Sequence, residues 1–244
     1  MASRFAHPDL LKSLTATYRL YDMAVTVSNT FPAVNEFSDA AQVSSRKRAL
    51  LLEFIEQTGV SAHFQWNGMN PVLMRKALET VKSWNTGIPD EILEKYIVVG
   101  FVIATTGYAH TPLDVQFVIG MYTMCVTMAD DSIMTNDMLR EFAPRFFEGL
   151  PQLHPILTHT VEYLLVARHH YSSYMANAIT VSTIDFFSAE MFMRDEGGSD
   201  LKVAEASEYV DYLRWKTGVG EGYAAFIWPK VMFPETKTYI QAMP

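Results

Sequence analysis

The sequence predicts an all-α protein built as a single helical bundle, and three observations support this prediction. Apolar residues recur at helical spacing along most of the chain. The strict apolar–polar alternation that is typical of strands is almost absent. Two strongly apolar segments, 96–109 and 117–129, are joined by a short polar corner, as expected of two buried antiparallel helices at the centre of a bundle.

The first part of the chain contains two segments with helical periodicity, 8–27 and 43–59. The second of them includes the basic cluster SSRKR, which is interpreted as a solvated helix start. A turn is predicted at 67–71, and a short amphipathic helix is predicted over 71–84.

The next helix is predicted to open at Pro89, Asp90 and Glu91, because proline suits the first turn and acidic side chains suit the positive end of the helix dipole. It continues through YIVVGFVIATTGYAH, which is apolar nearly all round and therefore predicted to be buried. Thr111 and Pro112 are predicted to cap the following helix, LDVQFVIGMYTMCVTMADD.

Three more helices are predicted over 136–147, 154–174 and 176–193. The segment RDEGGSD, 194–200, is predicted to be a polar loop. The last long helical segment, 201–230, contains three glycines within five residues, which predict a kink or an unwound turn.

Composition bounds the class of protein. The chain has 244 residues, which is enough for one large helical domain or two small ones. Hydrophobic residues make up 49% and charged residues 19%, so a sizeable core is expected. The net charge of −8 argues against nucleic acid and against an anionic membrane surface as partners. The single cysteine, Cys125, excludes an internal disulfide and is interpreted as core packing.

The expected location is cytoplasmic. The amino-terminal residues lack the apolar region of a secretory signal. Each of the two most apolar segments is shorter than a membrane span requires, so no membrane span is expected.

Asp130 and Asp131, at the end of the second buried segment, form the first candidate site. Adjacent carboxylates repel each other, and their oxygen atoms suit a hard cation such as Mg²⁺. The negative end of the helix dipole strengthens a cation site at this position. The alternative is a solvated helix terminus, because acidic pairs at helix ends are common.

Arg214 lies just before the glycine-rich turn, in DYLRWKTGVGEGY, and is the second candidate. A guanidinium beside flexible backbone can bind a diphosphate through two parallel hydrogen bonds. The alternative is a surface ion pair with Asp211 or Glu221.

Aromatic and methionine side chains are abundant on the predicted buried helices, and most of them are interpreted as core. A few are expected to face an apolar pocket in which aromatic rings stabilise a carbocation. The predicted pocket-lining residues are Phe101, Thr123 and Thr127. Adjacent His169 and His170 diverge on a helix and do not form a chelating pair, so they do not indicate a zinc enzyme.

The order DDSIM, then YLRWKTGVGEGYAAFIWPK, then FPETKTYIQAMP resembles the fungal class I terpene cyclases of the trichodiene synthase type. The resemblance covers 89–244, and its second motif is more specific than its first. It implies a class I terpenoid-synthase-like helical bundle. It also implies that Asp130 is the leading metal-binding aspartate with Asp131 beside it, that Arg214 senses the diphosphate, and that Gly218–Tyr223 is the turn that helps to trigger ionisation.

The sequence departs from the family pattern in two places. Met134 occupies the fifth position of the acidic motif, where many relatives have an acid, and Asp137 lies two helical turns after Asp130. The second metal motif, of the N-D-x-x-S-x-x-x-E type, and a later Arg-Tyr pair do not occur before Pro244. The expectation is therefore a domain over 1–244 that is truncated before the final helices and leaves an exposed apolar groove beside 214–244.

Three hypotheses for function follow. The resemblance implies a Mg²⁺-dependent carbon–oxygen lyase, a sesquiterpene cyclase that ionises a prenyl diphosphate such as farnesyl diphosphate, and relatives of this type often form homodimers. The alternative is a catalytically inactive or incomplete relative that keeps the scaffold and at most binds metal or isoprenoid. A plain helical interaction module is the third hypothesis, and it gains if Asp130 and Arg214 face apart with no apolar cavity between them.

Overall fold

Nine helices and no strand occur in the described part of the computed structural model, which confirms the all-α prediction. The structure describes residues 40–59, 69–131, 133–195, 207–235 and 237. The chain divides into two compact units, 1–67 and 68–244. A single domain across the whole chain stays a prediction.

The helix bounds follow the apolar periodicity closely. In the first unit, helix α1 comprises Ala40–Gln57, where a helix was predicted over 43–59. The predicted helix at 8–27 lies outside the described residues. The helices of the second unit are α2 (Pro71–Lys82), α3 (Asp90–Gly107), α4 (Leu113–Asp130), α5 (Asn136–Glu148), α6 (Pro155–His170), α7 (Ser173–Asp195), α8 (Ser207–Thr217) and α9 (Gly220–Phe226).

Helix α2 begins where the sequence predicts, because Asn70 caps it and Pro71 occupies its first turn. The Asn70 side chain accepts hydrogen bonds from the backbone N–H groups of Val72 and Leu73, at 2.9 and 3.3 Å. Beyond the helix end, the Trp84 ring stacks on His159 of α6, with ring centroids 3.9 Å apart and planes inclined by 17°. This stack fixes the end of α2 against α6.

Helix α4 is the centre of the second unit, because 14 of its 18 residues are buried. It packs against α3 along most of its length and also contacts α2, α6 and α7. Cys125 is fully buried there, which confirms its interpretation as core. Tyr96, near the start of α3, bonds to Asp131 just beyond the end of α4, so the two helices are antiparallel as predicted.

Two glycines allow α3 and α4 to approach closely. A Cβ atom at Gly100 of α3 would lie 2.3 Å from the carbonyl oxygen of Gly120 on α4. A Cβ atom at Gly120 would lie 2.9 Å from the Phe101 ring. The crossing therefore depends on the absence of side chains at both positions.

Helix α7 forms the second layer and packs against α5, α6, α8 and α9. It is joined to α4 in the core by the hydroxyl groups of Tyr122 and Thr183, which are 2.6 Å apart. None of the helices in the described part of the chain is both long enough and apolar enough to cross a membrane.

Several predicted boundaries are corrected by the structure. The Thr111 hydroxyl donates to the Tyr108 carbonyl at 2.8 Å and does not cap α4, which starts after Pro112 without a side-chain cap. Arg194 and Asp195 were predicted to lie in a loop, but they form the last turn of α7. Hydrophobic periodicity fades at this turn although the backbone stays helical.

The predicted break near the glycines is confirmed, since α8 ends at Thr217 and α9 begins at Gly220. The residue in the left-handed conformation at this break is Val219, with φ 48° and ψ 31°, and not one of the glycines. Its side chain is only 2% exposed. A β-branched residue in this conformation is a strained backbone position, held here by burial.

Candidate active site

The acidic pair lies at the exposed carboxyl end of the central helix. Asp130 is the last residue of α4, and Asp131 follows it with extended backbone. The Tyr96 hydroxyl donates to Oδ2 of Asp131, which ties that carboxylate to α3. Burial of the phenol, and then this hydrogen bond, raise the pKa of Tyr96, so Tyr96 remains a donor at neutral pH.

Glu190 of α7 brings a third carboxyl group to this end of α4. Its side chain is 14% exposed. It lies beside the Asp130 carboxyl group, and each of the two groups affects the pKa of the other. Burial, and then the charge of Asp130, raise the pKa of Glu190 to about 7. Partial burial and the charge of Asp131 also raise the pKa of Asp130.

Arg194, one turn after Glu190, binds the backbone at the end of α4. Its guanidinium donates to the carbonyl oxygens of Ala129 and Asp130, both at 2.8 Å, and of Met134 at 2.7 Å. Its charge lowers the pKa of Asp130, against the stronger effects of burial and of Asp131. Sequence reasoning missed both Glu190 and Arg194, although their i, i+4 spacing is the signal that could have found them.

Asp137 does not join the acidic pair, because α4 ends at Asp130. It lies in the first turn of α5 and forms an ion pair with Arg140 at 2.5 Å. Arg140 also bonds to Asp195 at 2.5 Å, and so connects α5 to the last turn of α7. Met134, which stands where relatives have an acid, is 1% exposed and packs in the core.

The donor set fits magnesium only together with a substrate. Among the described residues, no three carboxylate, histidine or cysteine side chains come together closely enough to hold a metal ion. Magnesium in enzymes is commonly bound by one or two carboxylates plus substrate phosphates and water. The Asp130–Glu190 contact, with Asp131 beside it, is a donor set of that kind.

An apolar cavity of about 310 Å³ opens between α3 and α9. It is lined by Ile103, Gly107, Tyr108, Tyr223 and Ile227. The exposed apolar groove that was expected beside 214–244 stays a prediction, because 236 and 238–244 lie outside the described residues.

Tyr223 connects this cavity to the helix that carries the acids. Its hydroxyl donates to Thr123 at 3.2 Å. Burial raises the pKa of Tyr223 to about 12, and the charge of Asp130 acts in the same direction. Thr123 is seven residues before Asp130, which places it about 10 Å along the helix from that residue.

The three residues predicted to line a pocket lie elsewhere on the central helices. Phe101 is fully buried, and its ring packs against Phe117 with centroids 5.9 Å apart. Thr123 is also fully buried and reaches the cavity only through Tyr223. The half-buried Thr127 donates to the Thr123 carbonyl at 2.8 Å.

Arg214 is exposed on α8, and its guanidinium forms no hydrogen bond or ion pair with another described residue. The alternative ion pairs with Asp211 and Glu221 are therefore not formed. Lys216, two residues later, pairs with Asp185 of α7 at 2.6 Å. The contacts of the described residues do not bring Arg214 to Asp130.

Comparison with known proteins gives a family match and several relatives. The family model described as trichodiene synthase (TRI5) matches residues 93–243. Monoterpene synthase 25 of Postia placenta is 29% identical over 178 residues, which cover 72% of this chain and 52% of that protein. (E)-beta farnesene synthase of Metarhizium brunneum is 33% identical over 146 residues, 58% of this chain and 44% of that protein.

A third relative, alpha-cuprenene synthase of Coprinopsis cinerea, is 31% identical over 160 residues, 64% of this chain and 48% of that protein. The chain thus spans about half the length of the curated relatives it matches. The family match begins in the first turn of α3 and includes both helices that border the cavity. It also includes Asp130 and Asp131 at the end of α4 and the break at Val219. The chain belongs to the trichodiene synthase family.

Proposed function

We propose that the chain acts in terpene cyclisation, with a prenyl diphosphate such as farnesyl diphosphate as substrate. The observation that carries this proposal is the placement of the carboxyl groups of Asp130 on α4 and Glu190 on α7. These two helices pack against α3 and α9, which border an apolar cavity. A prenyl diphosphate has the matching form, with a charged head and a hydrocarbon tail. Family membership supports the reaction class.

In this proposal Asp130 is the leading metal ligand and Asp131 its neighbour. Glu190 lies within hydrogen-bonding reach of Asp130 and is added as a candidate ligand. Bound Mg²⁺ would neutralise charge on the diphosphate as the carbon–oxygen bond breaks and the diphosphate leaves with the electron pair.

Arg214 is proposed to bind the diphosphate through its guanidinium. Arg214 is exposed, and a guanidinium can bind a diphosphate through two parallel hydrogen bonds. The break at Val219 lies one turn after Arg214, so a change of backbone there would move Arg214 relative to α9.

The cavity residues would hold the hydrocarbon chain away from water. Tyr108 and Tyr223 present aromatic rings at the cavity wall, and aromatic faces stabilise a carbocation. Thr123 supports this wall from behind, because it accepts a hydrogen bond from the Tyr223 hydroxyl. A lining role for Thr127 stays a prediction.

The second candidate function is an incomplete relative that binds metal or isoprenoid without turnover. The observation that favours it is that the contacts of the described residues do not bring Arg214 to Asp130. Binding and turnover must therefore be measured separately.

The test incubates the full chain with farnesyl diphosphate and Mg²⁺ and analyses the volatile products. Asp130→Ala is expected to lower product formation by at least about a hundredfold, because removing a metal ligand removes charge stabilisation in the transition state. Asp137→Ala is the matched control, since Asp137 is nearby but pairs with Arg140.

Full activity in Asp130→Ala would contradict the assignment of Asp130. Wild-type protein that binds a non-hydrolysable farnesyl diphosphate analogue with Mg²⁺, yet forms no product, would establish the second candidate instead.

A further inference from the structure

Several backbone carbonyl groups at the end of α4 are bound by one side chain from α7, that of Arg194. Arg194 donates from Nη1 to the Met134 carbonyl and from Nη2 to the carbonyls of Ala129, Asp130 and Asp131, the last at 3.3 Å. Its guanidinium therefore spans the whole turn that follows the helix. The Arg194 side chain is 21% exposed, so these hydrogen bonds are partly shielded from water.

The carboxyl end of a helix leaves its last carbonyl groups without intrahelical partners. Many helices satisfy these groups with a left-handed glycine after the last turn. Asp131 occupies this position with φ −83° and ψ 164°, an extended conformation that does not form such a cap. Arg194 replaces the missing cap and determines the direction in which the chain leaves α4.

The same arginine lies beside the carboxyl pair of the proposed metal site. Its Nε atom is 3.8 Å from the carboxylate of Glu190, which lies beside the Asp130 carboxyl group. Arg194 thus contacts the backbone of one proposed ligand and the side chain of the other. Loss of its hydrogen bonds would allow the two carboxyl groups to separate.

We propose that Arg194 is a positioning residue that holds Asp130 and Glu190 together for cation binding by fixing the backbone at the end of α4. This inference rests on the proposed function of Asp130. It makes no use of contact between Arg194 and the substrate.

A purely electrostatic role of Arg194 predicts the opposite change in metal binding when the guanidinium is removed. A positive charge beside a cation site repels the cation, so removing the charge should then strengthen metal binding. If position dominates, removing the guanidinium should weaken metal binding, and lysine should not restore it. One ammonium group cannot reach carbonyl groups on both sides of the turn in the way a planar guanidinium does.

The test measures Mn²⁺ binding to the full chain by electron paramagnetic resonance, without substrate. Arg194→Lys and Arg194→Gln are both expected to weaken binding by about tenfold or more, the usual effect of losing a group that orients a metal ligand. Arg145→Lys is the matched control, because Arg145 also donates to a loop carbonyl, that of Pro151 at 2.9 Å, but lies away from the acids.

Amide hydrogen exchange gives a second readout. In both Arg194 variants, exchange is expected to rise in 127–135 and to stay unchanged in α6, which shows that the rest of the fold is retained. If Arg194→Gln does not fold, Arg194→Lys tests the proposal by itself, because lysine keeps the positive charge but lacks the planar guanidinium.

Wild-type binding in Arg194→Lys, or tighter binding in Arg194→Gln, would overturn the positioning role. Unchanged exchange in 127–135 would overturn it as well. Absence of Mn²⁺ binding in the wild-type protein would overturn the proposed metal site itself, together with the role built on it, and so is distinguishable from failure of Arg194 alone.

Discussion

At the residue scale, His154 is an unusual helix cap whose strength depends on pH. Its Nδ1 atom accepts a hydrogen bond from the backbone N–H of Ile156 at 3.2 Å. Burial lowers the pKa of His154, because the charged imidazolium is disfavoured away from water. Protonation would also remove the acceptor at Nδ1, so the cap exists only in the neutral form.

The stability of the fold should therefore contain a contribution from His154 that is lost in acid. Since the folded-state pKa is lower than the ordinary value of 6.5, this contribution is complete above pH 6.5 and falls as the pH drops towards the folded-state pKa. Thermal unfolding at pH 7.5 and 5.5 measures it. His154→Asn should keep the cap, so its stability should fall less between pH 7.5 and 5.5 than that of the wild-type protein.

His154→Ala provides the comparison, because alanine cannot accept the hydrogen bond. It is expected to lose about 1 kcal/mol at pH 7.5. An equal fall in stability from pH 7.5 to 5.5 in the wild-type protein and in His154→Asn would show that the cap does not titrate.

Val219 leads to a second prediction, in which the glycine variant is more stable than the alanine variant, the reverse of the usual order. Truncating a buried valine costs about 2 kcal/mol in either variant. Glycine relieves the left-handed strain by about 1 kcal/mol, whereas alanine does not. The expected order of unfolding free energy is wild type, then Val219→Gly, then Val219→Ala, measured by denaturant unfolding. Val219→Ala more stable than Val219→Gly would contradict the left-handed assignment.

At the element scale, the α3–α4 crossing joins the helix that ends at Asp130 to a helix that borders the cavity. Gly100→Ala would put a methyl group 2.3 Å from the Gly120 carbonyl oxygen, so the helices would have to separate. The expected loss of unfolding free energy is about 3 kcal/mol.

Gly107→Ala is the matched control for this prediction. It lies on the same helix, and an added Cβ atom would meet nothing within 4 Å. Alanine is the better helix former, so a gain of about 0.5 kcal/mol is expected in the same denaturant titration. Equal effects of the two substitutions would show that the crossing is not tight.

Most helices were predictable from the sequence because burial produces apolar periodicity, which is strongest in α3 and α4. The acidic pair was found for the same reason, since it ends an apolar run. Glu190 and Arg194 were missed because their importance depends on contacts between α7 and α4, which are 60 or more residues apart in sequence. Val219 was missed because strain at a buried residue is imposed by packing, and neighbouring glycines were the obvious local candidates.

At the scale of the whole molecule, the second unit combines carboxyl groups at the end of α4 with an apolar cavity between α3 and α9. Ile103 lies in the cavity wall, and a charge there would face the hydrocarbon chain of a bound ligand. Ile103→Glu is expected to weaken binding of a farnesyl thiodiphosphate with Mg²⁺ by about tenfold or more, as measured by calorimetry, because burying a charge in apolar surroundings is unfavourable.

Val181→Glu is the control for this prediction, because Val181 is 55% exposed on α7 and does not line the cavity. Its affinity should equal that of the wild-type protein. If Ile103→Glu bound the farnesyl thiodiphosphate as tightly as the wild-type protein does, the hydrocarbon chain would have to lie outside this cavity.

The stack of Trp84 on His159 also provides an intrinsic optical reporter. An indole in contact with an imidazole at 3.9 Å is placed for quenching of its emission, and separation of α2 from α6 would restore that emission. Comparing fluorescence of the wild-type protein with that of Trp84→Phe would isolate this signal from the other tryptophans. Stopped-flow recording of it would then time the opening of this side of the bundle without any attached dye.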